Sequence, residues 1–527
     1  MRRLLALSLF FLSLATIAGC ASIPPGADVP RLESRALMQP AATTQGRTFA
    51  AEQLLHGADS GFRIIPVGAD GFLLRMQMIA AAEQTLDLQY FVFQGDKTGR
   101  LLTEALLHAA DRGVRVRLLV DDGQTGDGDE QINLLDAHPS IEIRYFNPFA
   151  YRGHIGALRA LEFAFHHARL DYRMHNKLLV ADNAMALIGG RNIGDAYFQI
   201  DRDGQFADDD MFATGPVVTR LSAVFDEFWN NPLAIPVAAL TGAPPTSAQY
   251  LAYRRSLEQD AADLEALGPA FASKAAIGQP YAGLTGGQLP LVWAHVLVIA
   301  DSPDKKDVDA GEMIGRLMRV KVAEAMRDVH DELLLITPYF IPGSKGMALL
   351  NELRLRNVRL RILTNSLESS TEPLAQAAYM RYRAPLIASG AELFEIRALL
   401  GNTRGSGQTA EISQAGNYSL HAKLFVFDRK RLFIGSMNLD RRSLHLNTEI
   451  GLLIDSPELA QQLAARFEAM TRPANAYQVL ARPDGAGLAW RTEEDQKKID
   501  YLEEPARSCW QRLEADLLAW LPFDSEL

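Results

Sequence analysis

Cysteine is nearly missing: the 527 residues hold two, Cys20 and Cys509, so no disulfide framework can be built. Positive charge is not in excess either. The 53 lysines and arginines stand against 64 aspartates and glutamates, a net charge of −11. That argues against a dedicated nucleic-acid binder, which carries a basic surface to displace phosphate counterions. With 22% charged and 48% hydrophobic residues, the chain is neither mostly disordered nor a polytopic membrane protein. The acidic run from Asp121 to Glu130 lacks the ligand order of an EF-hand and reads as a solvated loop. What the chain does have is length, enough for more than one domain at about 100–200 residues each.

Met1, Arg2 and Arg3 precede an apolar stretch from Leu4 to Ile17, too short to span a bilayer comfortably and typical of an export signal. It ends in Ile17-Ala-Gly-Cys20, which resembles the bacterial lipobox. Residues 1–19 are therefore expected to be a lipoprotein signal peptide and Cys20 the lipidated residue. The expected location is the cell envelope facing the periplasm, with Ala21 pointing to the outer membrane. Residues 20–50, rich in Pro, Gln, Thr and Gly, read as a flexible tether.

The remainder is organised by an internal repeat. Residues 72–122 and 314–366 each carry a helix, a strand, a helix and a strand, the pattern of parallel βαβ units. A second matching pair lies downstream: Met174 to Asp182 running on to Asn192, and Leu420 to Asp428 running on to Asn438. Seventeen residues separate histidine from asparagine in both copies, and each register then reaches an acid, Asp208 or Glu449, with a proline eight residues on. The expected layout is a first domain at 51–231, a connector at 232–289, a second domain at 290–475, and a C-terminal extension at 476–527 with an amphipathic helix. Trp510, Leu513, Leu517, Trp520 and Leu521 share one face of that helix, suited equally to a protein core or a membrane interface.

Side chains at i and i+2 of a strand share a face, so His175 points with Lys177 and His421 with Lys423. An imidazole beside a fixed ammonium suits a phosphodiester: the cation steadies the non-bridging oxygens while the imidazole attacks phosphorus. Two such pairs meeting at one site supply a nucleophile and a general acid. Asp182 and Asp428 fall at strand-to-turn junctions and are expected to bond backbone groups. Asp208 and Glu449 suit the role of a carboxylate that holds an imidazole nitrogen. No metal is expected on either histidine, because the neighbouring lysine would repel a cation.

The doubled H-x-K-x4-D pattern, each followed by G-(G/S)-x-N, resembles the phospholipase D superfamily over nearly all of the chain after about residue 55. Phe146 to Phe149, Gly189 to Tyr197, Thr337 to Pro342, Leu363 to Leu367 and Asn438 to Ser443 are similar to bacterial cardiolipin synthases, most of all the C type. The resemblance implies an α/β fold in which two phospholipase D-like α/β/α repeats pack as a pseudo-twofold pair around one active site. It also implies a phosphatidyl-histidine intermediate with His175 as the nucleophile and His421 as the general acid, no metal or other cofactor, Asn192 and Asn438 on the substrate phosphate, and Asp208 and Glu449 as partners of His175 and His421. The expected activity is a phosphatidyl transfer that forms cardiolipin from phosphatidylglycerol and a second phospholipid, with phosphatidylethanolamine the alternative donor. A phospholipase D or nuclease that lets water resolve the same intermediate, and a lipid-binding lipoprotein without catalysis, are the competing readings. One departure from the family stands at Asn438-Leu-Asp-Arg-Arg442, where many relatives carry a proline in the fourth place.

Overall fold

The computed structural model describes residues 24–124, 129–153, 155–200, 204–262, 282–288, 290–308, 317–398 and 418–520. Cys20, the signal, Leu521 and the glycine-rich stretch 401–407 lie outside them. The first half supplies β1 (Ser60–Ile65), β2 (Thr85–Tyr90), β3 (Arg115–Asp121), β4 (Ile141–Phe146), β5 (Leu178–Ala181), β6 (Met185–Gly189), β7 (Gln205–Ala207), β8 (Asp210–Thr214) and β9 (Ala234–Pro236). The second supplies β10 (Val292–Ala300), β11 (Glu332–Ile336), β12 (Arg359–Asn365), β13 (Glu392–Ile396), β14 (Tyr418–Leu420), β15 (Leu424–Phe427), β16 (Arg431–Gly435), β17 (Ile450–Asp455), β18 (Ala476–Ala481), β19 (Leu488–Glu494) and β20 (Lys497–Tyr501).

Strand pairing makes the duplication visible. Across the first half the order is β9-β4-β3-β2-β5-β6-β8-β1. The second repeats it in reverse, β10-β17-β16-β15-β11-β12-β13-β18, and adds β19-β20 at the edge. The halves meet where β1 pairs with β10 over Ser60–Phe62. Within the two half-sheets, β2-β3-β4 and β11-β12-β13 run parallel and the other pairings antiparallel, and the buried Leu/Ile/Val runs of the parallel strands follow from helices covering the sheet. The helix Lys97–Asp111, capped by Asp96 through the Gly99 N–H, lays Leu101, Leu102, Leu106 and Leu107 into that core. A second apolar cluster crosses the junction, joining Leu221 and Phe225 of the helix Pro216–Trp229 to Leu463 and Phe467 of Pro457–Met470.

Asp182 and Asp428 sit at equivalent hairpin turns, both with φ of 53°. The Asp182 carboxylate accepts the N–H groups of Glu83, Gln84 and Thr85 at 2.8 Å each. Asp428 accepts those of His330, Asp331 and Glu332. Each carboxylate thus satisfies the backbone where a helix hands over to β2 or β11. Asp182→Ala is expected to cost about 3 kcal/mol of stability, since it strands donors that bond a charged acceptor. Denaturant melts read the loss, and turnover per folded molecule should stay within about twofold.

Four expectations need correction. Residues 24–50 are not a flexible tether: the Arg31 guanidinium donates to the Pro232 and Ala234 carbonyls, the Ala36 N–H donates to Asp226, and the helix Thr44–Gln53 buries Phe49. These apolar and charged anchors are scattered singly through a polar stretch, which hides them from composition. The acidic run does not begin as a solvated loop, because Asp121 and Asp122 are fully buried, paired with Arg173 and Arg152. The connector begins after β9, which closes the edge of the first sheet against β4. The C-terminal extension begins later than expected, because β18, β19 and β20 continue the second sheet as far as Tyr501.

Candidate active site

His175 and Lys177 precede β5, and His421 and Lys423 precede β15, in extended chain rather than in the ladder. The strands start three residues later than the pattern predicts, at Leu178 rather than His175 and at Leu424 rather than His421, because the backbone there pairs with the other half. Ahead of His421, β14 runs parallel to β7, setting Leu420 opposite Ala207. Ahead of His175, Met174 bridges Thr448 in the same sense. The His421 N–H donates to the Ala207 carbonyl at 2.8 Å, and the His175 N–H to the Thr448 carbonyl at 3.0 Å. Each histidine is therefore docked on the residue preceding the other half's acid.

That crossing decides the partners. His175 Nδ1 lies 2.9 Å from Glu449 Oε2, and His421 Nδ1 lies 2.6 Å from Asp208 Oδ2. Each imidazole is thus held at Nδ1 by a buried carboxylate, which turns Nε2 toward chemistry. Lys177 Nζ donates to the His175 carbonyl at 2.6 Å, and Lys423 Nζ donates to the His421 carbonyl. Phe91 stands edge-on to His175 with ring centres 5.0 Å apart and lies beneath Lys177 Nζ at 5.2 Å, so histidine and lysine do share a side. Tyr197 and Phe206 flank His421 at 5.3 and 5.1 Å.

Burial governs the electrostatics. It lowers the His175 imidazole well below its ordinary value, with Lys177 and Lys423 adding to the effect. His421 falls to about 3 for the same reasons, with Asp208 opposing. Each lysine's charge therefore reaches both histidines, which makes this one site. Burial also takes Lys423 down to about 8 and Lys177 well below its usual range. The acids differ. Burial pushes Glu449 up to about 7, whereas Asp208, against the pull of burial, is held below the carboxylate range by its hydrogen bond to His421 and the nearby cations.

Residues 76–229 and 322–471 match the family described as cardiolipin synthase, PLD-like domain. The chain belongs to the cardiolipin synthase family of phospholipase D-like proteins. It is 37% identical to cardiolipin synthase C of Escherichia coli (strain K12), covering 89% of this chain and 96% of that one. It is 30% identical to an uncharacterized protein of Helicobacter pylori (strain ATCC 700392 / 26695), over 86% of this chain and 88% of that one. Among solved structures, phosphatidylserine synthase of Haemophilus influenzae Rd KW20 shares the fold with a TM-score of 0.54 at 14% identity, covering 92% of this chain and 99% of that one. The two matched segments of the cardiolipin synthase family model fall one in each half-sheet, spanning β2 to β8 and β11 to β17.

The other residues expected at the site are placed as follows. Asn192 accepts the Val92 N–H and donates to the Tyr197 hydroxyl. Asn438, its counterpart in the other half, is buried, and its Oδ1 has no hydrogen-bond partner among the described residues. After Asn438, where the family's proline is missing, Asp440 caps a short helix, Arg441–His445, through the Ser443 N–H.

Sequence reasoning missed several supports. Gly190 leaves room for Asp208, because a Cβ there would come within 2.3 Å of its carboxylate. The equivalent Ser436 instead donates its hydroxyl to the longer Glu449. Asp301, clamped by Lys305, accepts the Glu449 N–H. Arg191 donates to the Asp208 carbonyl and to Asp210, which also binds Arg75. Asp209 bridges to Arg466 across the halves at 2.8 Å. Register between the copies contains the Gly190/Ser436 exchange; the remaining supports belong to no motif.

The pH profile follows from these groups. Glu449 must be ionised to hold His175, and with its carboxyl near 7 the rate should climb as pH rises to about that value. Lys423 must stay charged, and with its ammonium near 8 the rate should fall above it. We expect a narrow bell in kcat/KM. Glu449→Gln should flatten the acid limb and Lys423→Arg should move the alkaline limb upward.

Proposed function

We propose that the chain is a phosphatidyltransferase that forms cardiolipin from phosphatidylglycerol and a second phospholipid. The observation that carries this reading is the crossed arrangement, in which His175 is held by Glu449 and His421 by Asp208 across the halves. In the first step His175 Nε2 attacks the donor phosphorus, the P–O bond to the head-group alcohol breaks, and His421 gives that oxygen a proton. In the second step neutral His421 takes the proton from a phosphatidylglycerol hydroxyl, whose oxygen attacks phosphorus as the P–N bond breaks. Cardiolipin leaves, with glycerol or ethanolamine as the by-product according to the donor.

The roles rest on the acids. An ionised Asp208 supports an imidazolium on His421, and a Glu449 that titrates near 7 supports a neutral, nucleophilic His175. Burial is the main force that lowers His421, with Lys423 and Lys177 adding to it, and the incoming phosphodiester anion offsets the two lysines and so raises the proton affinity of His421. Mass spectrometry of products from vesicles of phosphatidylglycerol, with and without phosphatidylethanolamine, tests the reading. Cardiolipin should exceed phosphatidic acid, and the reverse at high acceptor density makes the protein a phospholipase D.

A lipid anchor at Cys20, facing the periplasm on the outer membrane, is the second part of the proposal, supported by the lipobox-like sequence. No described helix is long and apolar enough to cross a membrane. Because the chain is docked from Pro24 onward, at most about 14 Å of extended backbone separates it from Cys20, so the anchor would hold the enzyme close to the bilayer. Cys20→Ser should release the protein from the membrane fraction, and unchanged fractionation would count against the anchor.

A further inference from the structure

Two helices carry their apolar faces outward. In Gly156–Phe165 no residue is buried. Its polar side chains face in: Arg159 donates to the Asp122 carbonyl and covers the Phe149 ring at 4.2 Å, and Glu162 accepts the Ala150 and Tyr151 N–H groups. Leu158, Leu161 and Phe165, with Ile155 just before, are 42–66% exposed. This is the reverse of a helix folded onto a protein core. In Cys509–Ala519, Ala515 and Gln511 face the body, Gln511 donating to the Leu367 carbonyl at 2.7 Å. Trp510, Leu513 and Leu517, with Trp520 just beyond, are 47–90% exposed.

The two helices hang from equivalent places. Asp121, at the end of β3, accepts the Met174 N–H ahead of His175, and the first helix is tied to the next residue, Asp122. Asn365, at the end of β12, accepts the Leu420 N–H ahead of His421, and the second helix is tied two residues further on. β3 and β12 occupy matching positions in the two half-sheets, so each apolar face adjoins the strand end that positions one catalytic histidine.

We propose that the two faces form one membrane-docking rim, which seats the active-site entrance in the acyl boundary of a phospholipid bilayer. The proposal rests on the lipid-substrate reading above. A diacyl substrate needs apolar surface continuous with the site that cleaves its head group, and both faces supply it there. Helices of ten and eleven residues lie in an interface rather than cross it, and tryptophans at both ends of the second suit the headgroup level. With a net charge of −11, general attraction to an anionic surface does not seat the protein there, and a Cys20 anchor tethers the chain without orienting it, which leaves apolar insertion to place the entrance.

The test uses the full chain with vesicles of phosphatidylglycerol and phosphatidylethanolamine carrying brominated acyl chains. Tryptophan quenching should be seen and should vanish in Trp510→Phe/Trp520→Phe. Leu158→Asp/Leu161→Asp and Leu513→Asp/Leu517→Asp should each lower turnover on vesicles at least tenfold. Turnover of monomeric dihexanoyl phosphatidylglycerol should stay within twofold, which also shows that the variants are folded. These ratios are read on total phosphatidyl release, so they stand whether cardiolipin or phosphatidic acid forms. Equal loss on both substrates, or unchanged vesicle turnover, overturns the proposal. So does a wild-type dimer that the aspartate variants split while brominated lipid quenches nothing, which would make a second copy the occupant.

Discussion

His175→Ala is expected to reduce turnover by on the order of 10⁴-fold or more, the scale on which removing a nucleophile disables a catalytic unit. His421→Ala should look equally severe on natural lipids, where the departing glycerol or ethanolamine oxygen needs a proton. The two variants separate on a donor with a nitrophenyl leaving group, which departs unprotonated. With that donor His421→Ala should still complete the first step and, lacking a base for the acceptor, accumulate a phosphatidyl adduct on His175. Peptide mass spectrometry under alkaline conditions, where phosphohistidine survives, locates it. An adduct on His421 in His175→Ala would reverse the roles, and full activity in either variant would remove the site altogether.

The nucleophile assignment shows how far the sequence could be read. Spacing within one copy brings His175, Lys177 and Asn192 into view together, and the repeat doubles them, because each set flanks a single short hairpin, β5-β6 or β15-β16, that fixes its spacing in the primary structure. The partnership of His175 with Glu449 spans 274 residues, and it depends on pairings only a few residues long, β7 with β14 and Met174 with Thr448. Segments that short carry no periodicity, so which acid serves which histidine was hidden. The same limit concealed the match of β9 with β18 that closes each half-sheet, and with it the true start of the C-terminal extension. The helix Cys509–Ala519 was legible as amphipathic, but periodicity gives no information on whether its apolar side turns inward or outward. That depended on Gln511 and Ala515 finding the protein first.

Lys177→Met and Lys423→Met should each lower kcat/KM by about 10²- to 10³-fold, the usual consequence of withdrawing one preorganised charge from developing phosphoryl oxygens. Because both cations act on the same oxygens, the double variant should lose less than the product of the single losses. Stability should move the other way. Burial has pulled the Lys177 ammonium well below its ordinary range, so the fold carries a desolvated charge that methionine of similar length would not, and such replacements are often neutral or stabilising. A melting temperature that holds or rises while turnover collapses identifies the lysines as catalytic rather than structural. The same two charges lead us to expect that exhaustive EDTA treatment leaves vesicle turnover within twofold, provided vesicle aggregation is matched between samples. Turnover lost in EDTA and restored by a divalent ion would mean that Lys177 and Lys423 do not carry the phosphate charge alone, whereas variants that melt far below the wild type would place them in the scaffold instead.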